Sequence, residues 1–355
     1  MVRNWLLKIL LLPFALLYGL GVALRDLSYR LGLLKSVEFN VPVISIGNIS
    51  IGGTGKTPHI EYLITSLREH IKVATLSRGY GRKTKGYLAV DPRMSAEKAG
   101  DEPLQFKRKY PDIPVVVAES RTFGIVQMLQ QFPGLQCILL DDAFQHRSVQ
   151  PGLNILLTSY NEPYFRDFLL PVGRLREWPA GARRADAIIV TKCPHDWNRS
   201  EREAMLKKLK PEKHQRVFFS RFKYHYPYSI FDPQHRVEIG QNRDILILSA
   251  IANTNYMMEF LEHFDNTYHE LSFTDHHLFT ANEISQIVQK FEHLPSEQKM
   301  ILTTEKDAVR LEPHLRYFYE KKIPIFVLPV SVEFLDGDRE KFDAYVQEFL
   351  LNFTV

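Results

Sequence analysis

The sequence predicts an α/β protein built on a mainly parallel sheet with helices on both faces. Three observations point there. Short, continuously apolar runs rich in β-branched residues recur along the chain. Stretches with apolar residues three or four positions apart separate them. Strands without a polar side belong between two helix layers, as in parallel sheets. The third is a glycine-rich turn that joins the first such strand to the helix after it.

In chain order, Ile9–Leu24 comes first, sixteen residues without a charge. A spanning helix needs ~20 apolar residues and a signal-peptide core ~7–15, so the run falls between them. Apolar side chains ring the whole helix, unlike a soluble amphipathic element. Gly21–Arg25 lacks a clear small-x-small cleavage site. Arg3 and Lys8 flank the run on one side, and Arg25, Arg30 and Lys35 on the other, where charged heads can reach lipid phosphates. Pro13 argues against a straight helix. Residues 1–35 are therefore expected to form a membrane-associated helix, inserted or lying in the interface. A buried core helix and a cleaved signal are the competing readings.

Val41–Ile46 is the first strand, and Ile60, Leu63, Ile64 and Leu67 mark the helix after it. Val73–Leu76, Val115–Ala118, Cys137–Leu140, Ile155–Leu157 and Ala187–Val190 read as further buried strands, with a helix at Phe123–Gln131. Tyr224 to Pro233 is rich in proline and aromatics and reads as a linker. It divides a domain at 36–223 from a smaller α/β domain at 224–355. There the alternation resumes, with strands at Ile245–Leu248, Met300–Leu302 and Ile325–Leu328 and a helix at Tyr256–Phe264. Thr280 and Glu283 form a capping box ahead of Ile284, Ile287, Val288 and Phe291. Phe342, Tyr345, Val346 and Phe349 mark a last helix.

The 355 residues are 45% hydrophobic and 24% charged, which excludes a disordered, collagen-like or coiled-coil chain. The formal charge of +4 is too mild for nucleic acid, which calls for a concentrated basic face. The 2 cysteines cannot build a disulfide framework and suit a reducing compartment.

The glycine-rich turn carries the strongest chemical signal. Gly47 to Thr57 follows a strand and precedes a helix, the context of a P-loop, so the expected sheet is P-loop NTPase-like. Gly52, Gly53 and Gly55 let backbone amides turn toward phosphate, Thr54 stands among them, and the helix N-terminus adds partial positive charge. Lys56 would reach the β- and γ-phosphates of ATP, and Thr57 would bind Mg²⁺. Ser50 stands where the general pattern has its first glycine. The strand at Cys137–Leu140 runs into Asp141 and Asp142, the acids a P-loop needs for magnesium at the carboxyl end of a parallel strand. Thr191-Lys192-Cys193-Pro194 lacks the aspartate of a guanine-reading motif, so ATP is the expected nucleotide.

Asp101 and Glu102 lie in a Gly-Asp-Glu-Pro segment. One of them can accept a hydroxyl proton during phosphoryl transfer, or both can be an acidic pair at a helix start. His276 and His277 are adjacent, and adjacent side chains seldom share a metal; they read equally as a surface loop. No cysteine–histidine spacing suggests zinc. Arg78, Arg82, Lys83 and Lys85 form either an anion clamp or a solvated basic loop.

Taken in order, seven segments resemble one family. They are Gly52–Pro58, Ser77–Gly81, Gly100–Pro103, Leu140–His146, Gly173–Glu177, Asp275–His277 and Thr304–Arg310. The set resembles the tetraacyldisaccharide 4'-kinases, the lipid A 4'-kinases of Gram-negative bacteria, from the N-terminal helix to about Arg310. Ala143 stands where the resemblance leads one to expect glycine. The resemblance implies two α/β/α domains around a cleft. It implies transfer of the γ-phosphate of ATP to an acylated glucosamine disaccharide 1-phosphate at the cytoplasmic face of the bacterial inner membrane. It implies Asp101 as base, paired with His276, and Lys56, Thr57, Asp141 and Asp142 as nucleotide and Mg²⁺ residues. Arg176 and Glu177 carry over as members of the site's network, and Tyr80 as a contact of His276. A nucleotide-dependent switch and a non-catalytic membrane-tethered module are the alternatives; the first would release phosphate without labelling a lipid.

Overall fold

The computed structural model describes residues 5–354; Met1 to Asn4, and with them Arg3, lie outside the described residues. A helix, α1 (Trp5–Arg30), opens the chain and runs through Pro13 without ending. The first unit then alternates β1 (Val43–Gly47), α2 (Lys56–Leu67), β2 (Val73–Ser77), β3 (Leu88–Ala89), α3 (Ala96–Ala99), α4 (Asp101–Lys109), β4 (Val115–Val117), α5 (Arg121–Gln131), β5 (Cys137–Asp141), β6 (Leu153–Ser159), β7 (Ala187–Thr191), α6 (Arg199–Leu209) and β8 (Arg216–Tyr224). The second unit holds β9 (Tyr228–Ser229), β10 (Asp244–Ser249), α7 (Asn255–Leu261), β11 (Thr267–Ser272), α8 (Ala281–Glu292), β12 (Lys299–Thr304), α9 (Glu305–Leu311), α10 (Leu315–Glu320) and β13 (Ile325–Leu328). The chain ends with β14 (Val330–Phe334) and α11 (Asp338–Asn352).

The first unit is a nine-stranded sheet in the order β14-β8-β7-β6-β1-β5-β2-β4-β3. It is parallel except at its edges, where β14 and β3 run antiparallel. Central strands are buried along their whole length because helices cover both faces. Ile60, Leu63 and Ile64 of α2 join Ile44, Ile46, Leu139 and Ile155 on one face. Ile125 and Met128 of α5 join Leu76, Ile138 and Leu140 on the other. Each fully buried side chain of this kind contributes about 1.5–3 kcal/mol. The second unit is a five-stranded sheet, β11-β10-β12-β13-β9, parallel except for β9. On α8, the Thr280–Glu283 capping box forms, and Ile284, Ile287, Val288 and Phe291 are buried.

Topology positions the chemistry. β1 lies between β6 and β5, with Ile46 in register with Asp141. The phosphate loop after β1 and the acids ending β5 thus leave neighbouring strands at their carboxyl ends, where ligands bind in open α/β sheets.

Two sequence expectations need correction. Residues 224–355 are not one C-terminal unit. After β13 the chain crosses back, β14 pairs antiparallel with β8, and α11 packs Phe342 and Val346 into the first core. The Tyr224–Pro233 stretch is not only a linker, since β9 lies within it and pairs with β13. A buried carboxylate fastens the returning segment. Asp338 accepts from Arg202 Nη1 at 2.8 Å and Nη2 at 3.0 Å, and from the Phe219 N–H at 2.9 Å.

Removing one partner of a buried, hydrogen-bonded ion pair strands the other. Asp338→Ala is expected to cost about 3–5 kcal/mol, measured from the urea midpoint. A change below about 0.5 kcal/mol, the range of ordinary surface substitutions, would mean that α11 is not held this way.

Candidate active site

The phosphate loop is shaped by two left-handed glycines. Gly52 has φ 124 and Gly55 has φ 89, and a Cβ on Gly55 would lie 2.8 Å from the Phe222 ring. Ser50 needs no glycine: it forms an antiparallel bridge with Leu175, and the Ile51 N–H donates to the Arg174 carbonyl at 2.7 Å. Within the loop, Asn48 Nδ2 donates to Thr54 Oγ1 at 2.9 Å, and Thr191 Oγ1 donates to the Thr54 carbonyl at 2.8 Å. His59 Nδ1 lies 2.7 Å from the Gly55 carbonyl and its Nε2 lies 3.0 Å from Ser220 Oγ. A carbonyl only accepts, so Nδ1 carries the proton. Burial pushes the imidazole pKa down to about 4, which keeps it neutral in this role.

Lys56 opens α2 and lies 3.6 Å from Asp142 and 3.4 Å from Asn48 Oδ1. Thr57 Oγ1 donates to Glu102 Oε1 at 3.2 Å. Asp142 also accepts from Arg176 at 3.0 Å. Burial alone would raise its pKa, but Lys56 and Arg176 hold it below the usual carboxylate range. Asp141 is different. It is buried, and its Oδ1 has no hydrogen-bond partner. Burial first, then the charges of Glu102 and Asp142, push its pKa up to about 8.

Across the cavity stands the second unit. His276 Nδ1 lies 2.9 Å from Asp101 Oδ2, and a carboxylate oxygen here accepts, so Nδ1–H donates. Arg310 Nε donates to the same Asp101 oxygen at 2.9 Å, and Arg310 Nη2 reinforces the pair. Asp101 Oδ1 accepts the Glu102 N–H at 2.9 Å. Burial opposes the charge on Asp101, but the His276 hydrogen bond, Lys306 and Arg310 outweigh it and hold the pKa well below the usual range. Lys306 Nζ lies 3.2 Å from Glu102, 3.3 Å from His276 Nε2 and 3.7 Å from Asp275. The Tyr80 ring centroid lies 4.8 Å from that of His276.

These groups surround a cavity of about 1480 Å³. Gly52 to Thr57, Arg78, Tyr80, Glu102, Asp141, Asp142, Arg176 and His276 all line it. Asp101 stands behind His276, itself only 5% exposed. Glu177 does not face the cavity. It is fully buried, accepts from Arg184 at 2.7 Å and from Gln145 at 2.8 Å, and Gln145 also donates to the Asn48 carbonyl. Of the basic loop only Arg78 lines the cavity, since Arg82 pairs with Glu119 and Lys83 with Glu97. His277 turns away to Glu283 at 3.0 Å and stacks on Phe273. Lys306 and Arg310, quoted only within the Thr304–Arg310 segment, and His59 are site residues to which sequence reasoning gave no role. The first two were signalled by their four-residue spacing, which places them on one face of the helix after β12.

One wall of the cavity is α1, through Leu17, Tyr18, Gly21, Val22 and Arg25. Tyr18 donates to the Arg176 carbonyl at 2.7 Å, and Trp178 Nε1 donates to the Gly19 carbonyl at 2.9 Å. A Cβ on Gly19 would lie 2.6 Å from Trp178, so this helix approaches closely only through glycine. Most of α1's large apolar side chains are exposed, Trp5 at 71% and Leu17 at 67% among them. By length and composition it could cross a membrane, an 18-residue stretch of it having a mean hydropathy of 2.1.

Thr57, Asp141, Asp142 and Glu102 fit a magnesium ion. Asp141 offers an unpartnered buried oxygen among crowded carboxylates, which a divalent cation relieves. Among the described residues no three His, Cys, Asp or Glu side chains could hold an ion unaided. Mg²⁺ keeps waters and takes ligands from substrate phosphates, so few protein ligands suffice.

Comparisons with known proteins agree along the whole chain. The family model described as Tetraacyldisaccharide-1-P 4'-kinase matches residues 7–351. A tetraacyldisaccharide 4'-kinase of Phocaeicola vulgatus is 41% identical over 345 residues, 96% of this chain and 94% of its own. That of Bacteroides thetaiotaomicron is 42% identical over 348 residues, 95% of this chain and 91% of its own. A crystal structure of LpxK from Aquifex aeolicus in complex with ATP aligns with a TM-score of 0.73 at 28% identity, covering 97% of this chain and 99% of that one.

The Asp141 pKa carries a sign. It rises from 3.8 to about 8 on folding, so the folded protein holds that proton more tightly. The associated stability is full at low pH and is lost as pH rises through about 8. Asp141→Asn is therefore expected to melt higher than the parent, without ligands, at about pH 8, with the gap closing toward about pH 5. Equal melting temperatures at both pH values would mean that Asp141 is not destabilised by its neighbours.

Proposed function

The chain belongs to the tetraacyldisaccharide-1-P 4'-kinase family, and we propose how its cavity performs the reaction. It is an ATP-dependent kinase that phosphorylates the 4'-hydroxyl of the tetraacyl disaccharide 1-phosphate precursor of lipid A, in lipopolysaccharide biosynthesis. The observation that carries the mechanism is the facing arrangement. A phosphate-binding loop and an Asp101–His276 pair lie on opposite sides of one cavity.

ATP lies with its phosphates on the amides of Gly52 to Gly55 and at the N-terminus of α2. Lys56 exchanges Asp142 for the β- and γ-phosphates. Thr57, Asp141 and Asp142 would hold Mg²⁺, which would neutralise charge on the phosphate oxygens. The 4'-oxygen attacks the γ-phosphorus, the bond from that phosphorus to the β,γ-bridging oxygen breaks, and ADP leaves. The hydroxyl proton goes to the Asp101–His276 pair: His276, which lines the cavity, shuttles it, and the Asp101 carboxylate behind it is the base that draws it. Phosphoryl transfer rests on positioning and charge stabilisation, and the hydrogen bonds of His276 and Arg310 fix the Asp101 carboxylate in place. Lys306 and Arg310 hold Asp101 and Glu102, while Tyr80 packs on His276. Arg176 fixes Asp142, Glu177 braces the loop through Gln145, and Arg78 faces the acceptor side. Closing the cleft excludes water and suppresses ATP hydrolysis.

The acceptor carries acyl chains, and the exposed apolar surface of α1 supports membrane association at the wall of the same cavity. An enzyme docked at the cytoplasmic face of the inner membrane reaches ATP and the lipid headgroup together.

The test is transfer of label from γ-labelled ATP to the lipid disaccharide. Asp101→Asn and His276→Ala are each expected to lose about 10²–10⁴-fold in transfer while ATP affinity stays near that of the parent. Equal loss of ATP binding would count against the assigned roles. Deleting residues 1–24 is expected to move the protein off lipid vesicles, read by co-sedimentation. Unchanged sedimentation would reject the anchor.

A further inference from the structure

Three helices begin at the reaction site. α2 brings Lys56 and Thr57, α4 brings Asp101 and Glu102, and α9 brings Lys306 and, one turn on, Arg310. Lys109 stands at the far end of α4. Its Nζ lies 2.7 Å from Glu61 Oε2 on α2 and 2.8 Å from Glu305 Oε1 on α9. The two glutamate side chains are 7% and 9% exposed, and Gln105 donates to Glu61 at 2.9 Å. One ammonium therefore bridges two nearly buried carboxylates, one from each unit.

The other end of the same helix pair is fastened too, by Arg310 to Asp101. The start of α4 is tied to the end of α9, and the end of α4 to the start of α9. Glu61 follows Thr57 by four residues, one helical turn, so the far clasp also reaches the helix under the phosphate loop. Glu61, Gln105 and Glu305 line both the site cavity and a second groove of about 1230 Å³, which Lys109 lines as well. The clasp is thus the wall behind the reacting groups. Exposed ion pairs contribute little, but here the loss of one cation leaves two low-solvation anions facing each other. Nothing in the proposed chemistry uses these three residues.

We propose that Lys109 is a positioning residue for phosphoryl transfer: by clasping Glu61 and Glu305 it sets the spacing between the nucleotide-holding helix and the helix that carries Lys306 and Arg310. The proposal rests on the kinase reading above. Small displacements of reacting groups are costly, about 10²-fold for roughly 1 Å.

The experiment uses the full-length enzyme with ATP and the lipid disaccharide. It measures kcat, KM for ATP, equilibrium affinity for a non-hydrolysable ATP analogue, and melting temperature. Lys109→Met is expected to lower kcat about 10- to 100-fold, with analogue affinity unchanged within about twofold. Lys109→Arg is expected to restore most of kcat. The double variant Lys109→Met with Glu305→Gln is expected to be no worse than Lys109→Met alone, since both break one contact. A Lys109→Met kcat within about twofold of the parent overturns the proposal, as does a loss of analogue affinity equal to the loss of kcat. Independent, additive losses in the double variant also overturn it. Should Lys109→Met fail to fold, Glu305→Gln decides: it keeps the Glu61–Lys109 pair, and an unchanged kcat refutes the clasp. Absence of transfer by the parent enzyme would refute the kinase reading instead.

Discussion

A buried carboxylate needs cations, and that requirement joins the two halves of this protein. Asp101 is 5% exposed, and its charge is compensated by His276, Arg310 and Lys306, all from the second unit. The ion lies on the first unit and its compensation on the other. Separating the units would leave an unpaired buried charge, which is strongly unfavourable. The proposed base is therefore also an electrostatic bond between the two units.

The cavity is partitioned by charge. On the second unit's side, cations dominate and Asp101 stays ionised. On the strand-end side, Glu102, Asp141 and Asp142 crowd together, and Asp141 is left with an oxygen that has no partner. On one side protein cations compensate the buried carboxylate, and on the other a buried carboxylate oxygen has no partner. The backbone reflects this specialisation. Asp142, Lys192 and His276 line the cavity with φ of 47, 57 and 60, a left-handed conformation that non-glycine residues adopt at a cost. Such conformations persist where surrounding structure over-determines them, as at functional sites.

The N-terminal helix adds a geometric constraint. Its few buried positions, Ala15, Gly19 and Val22, dock it, and Tyr18 and Trp178 tie it to the segment around Arg176. Arg176 in turn holds Asp142. The apolar helix and the phosphate loop's acid are thus two hydrogen-bonded steps apart.

Local chemistry was legible in the sequence wherever one segment carries it whole. The phosphate loop, the acids ending β5, the capping box of α8 and the apolar central strands each follow from composition and spacing within about fifteen residues. Weakly patterned elements were not legible. β11 and β14 are half-exposed edge strands with polar residues, and β8 mixes charged and aromatic residues, so no continuous apolar run marks them. Ordered motifs named the family, which local spacing alone could not do. Only the tertiary structure decided that β14 and α11 return to the first sheet, that His277 turns away to Glu283, and that Lys306 and Arg310 join the Asp101–His276 pair. The physical reason is range: helix caps and strand burial are fixed by neighbours in sequence, whereas compensating a buried charge requires groups 175 and 209 residues away, which only the folded chain brings together.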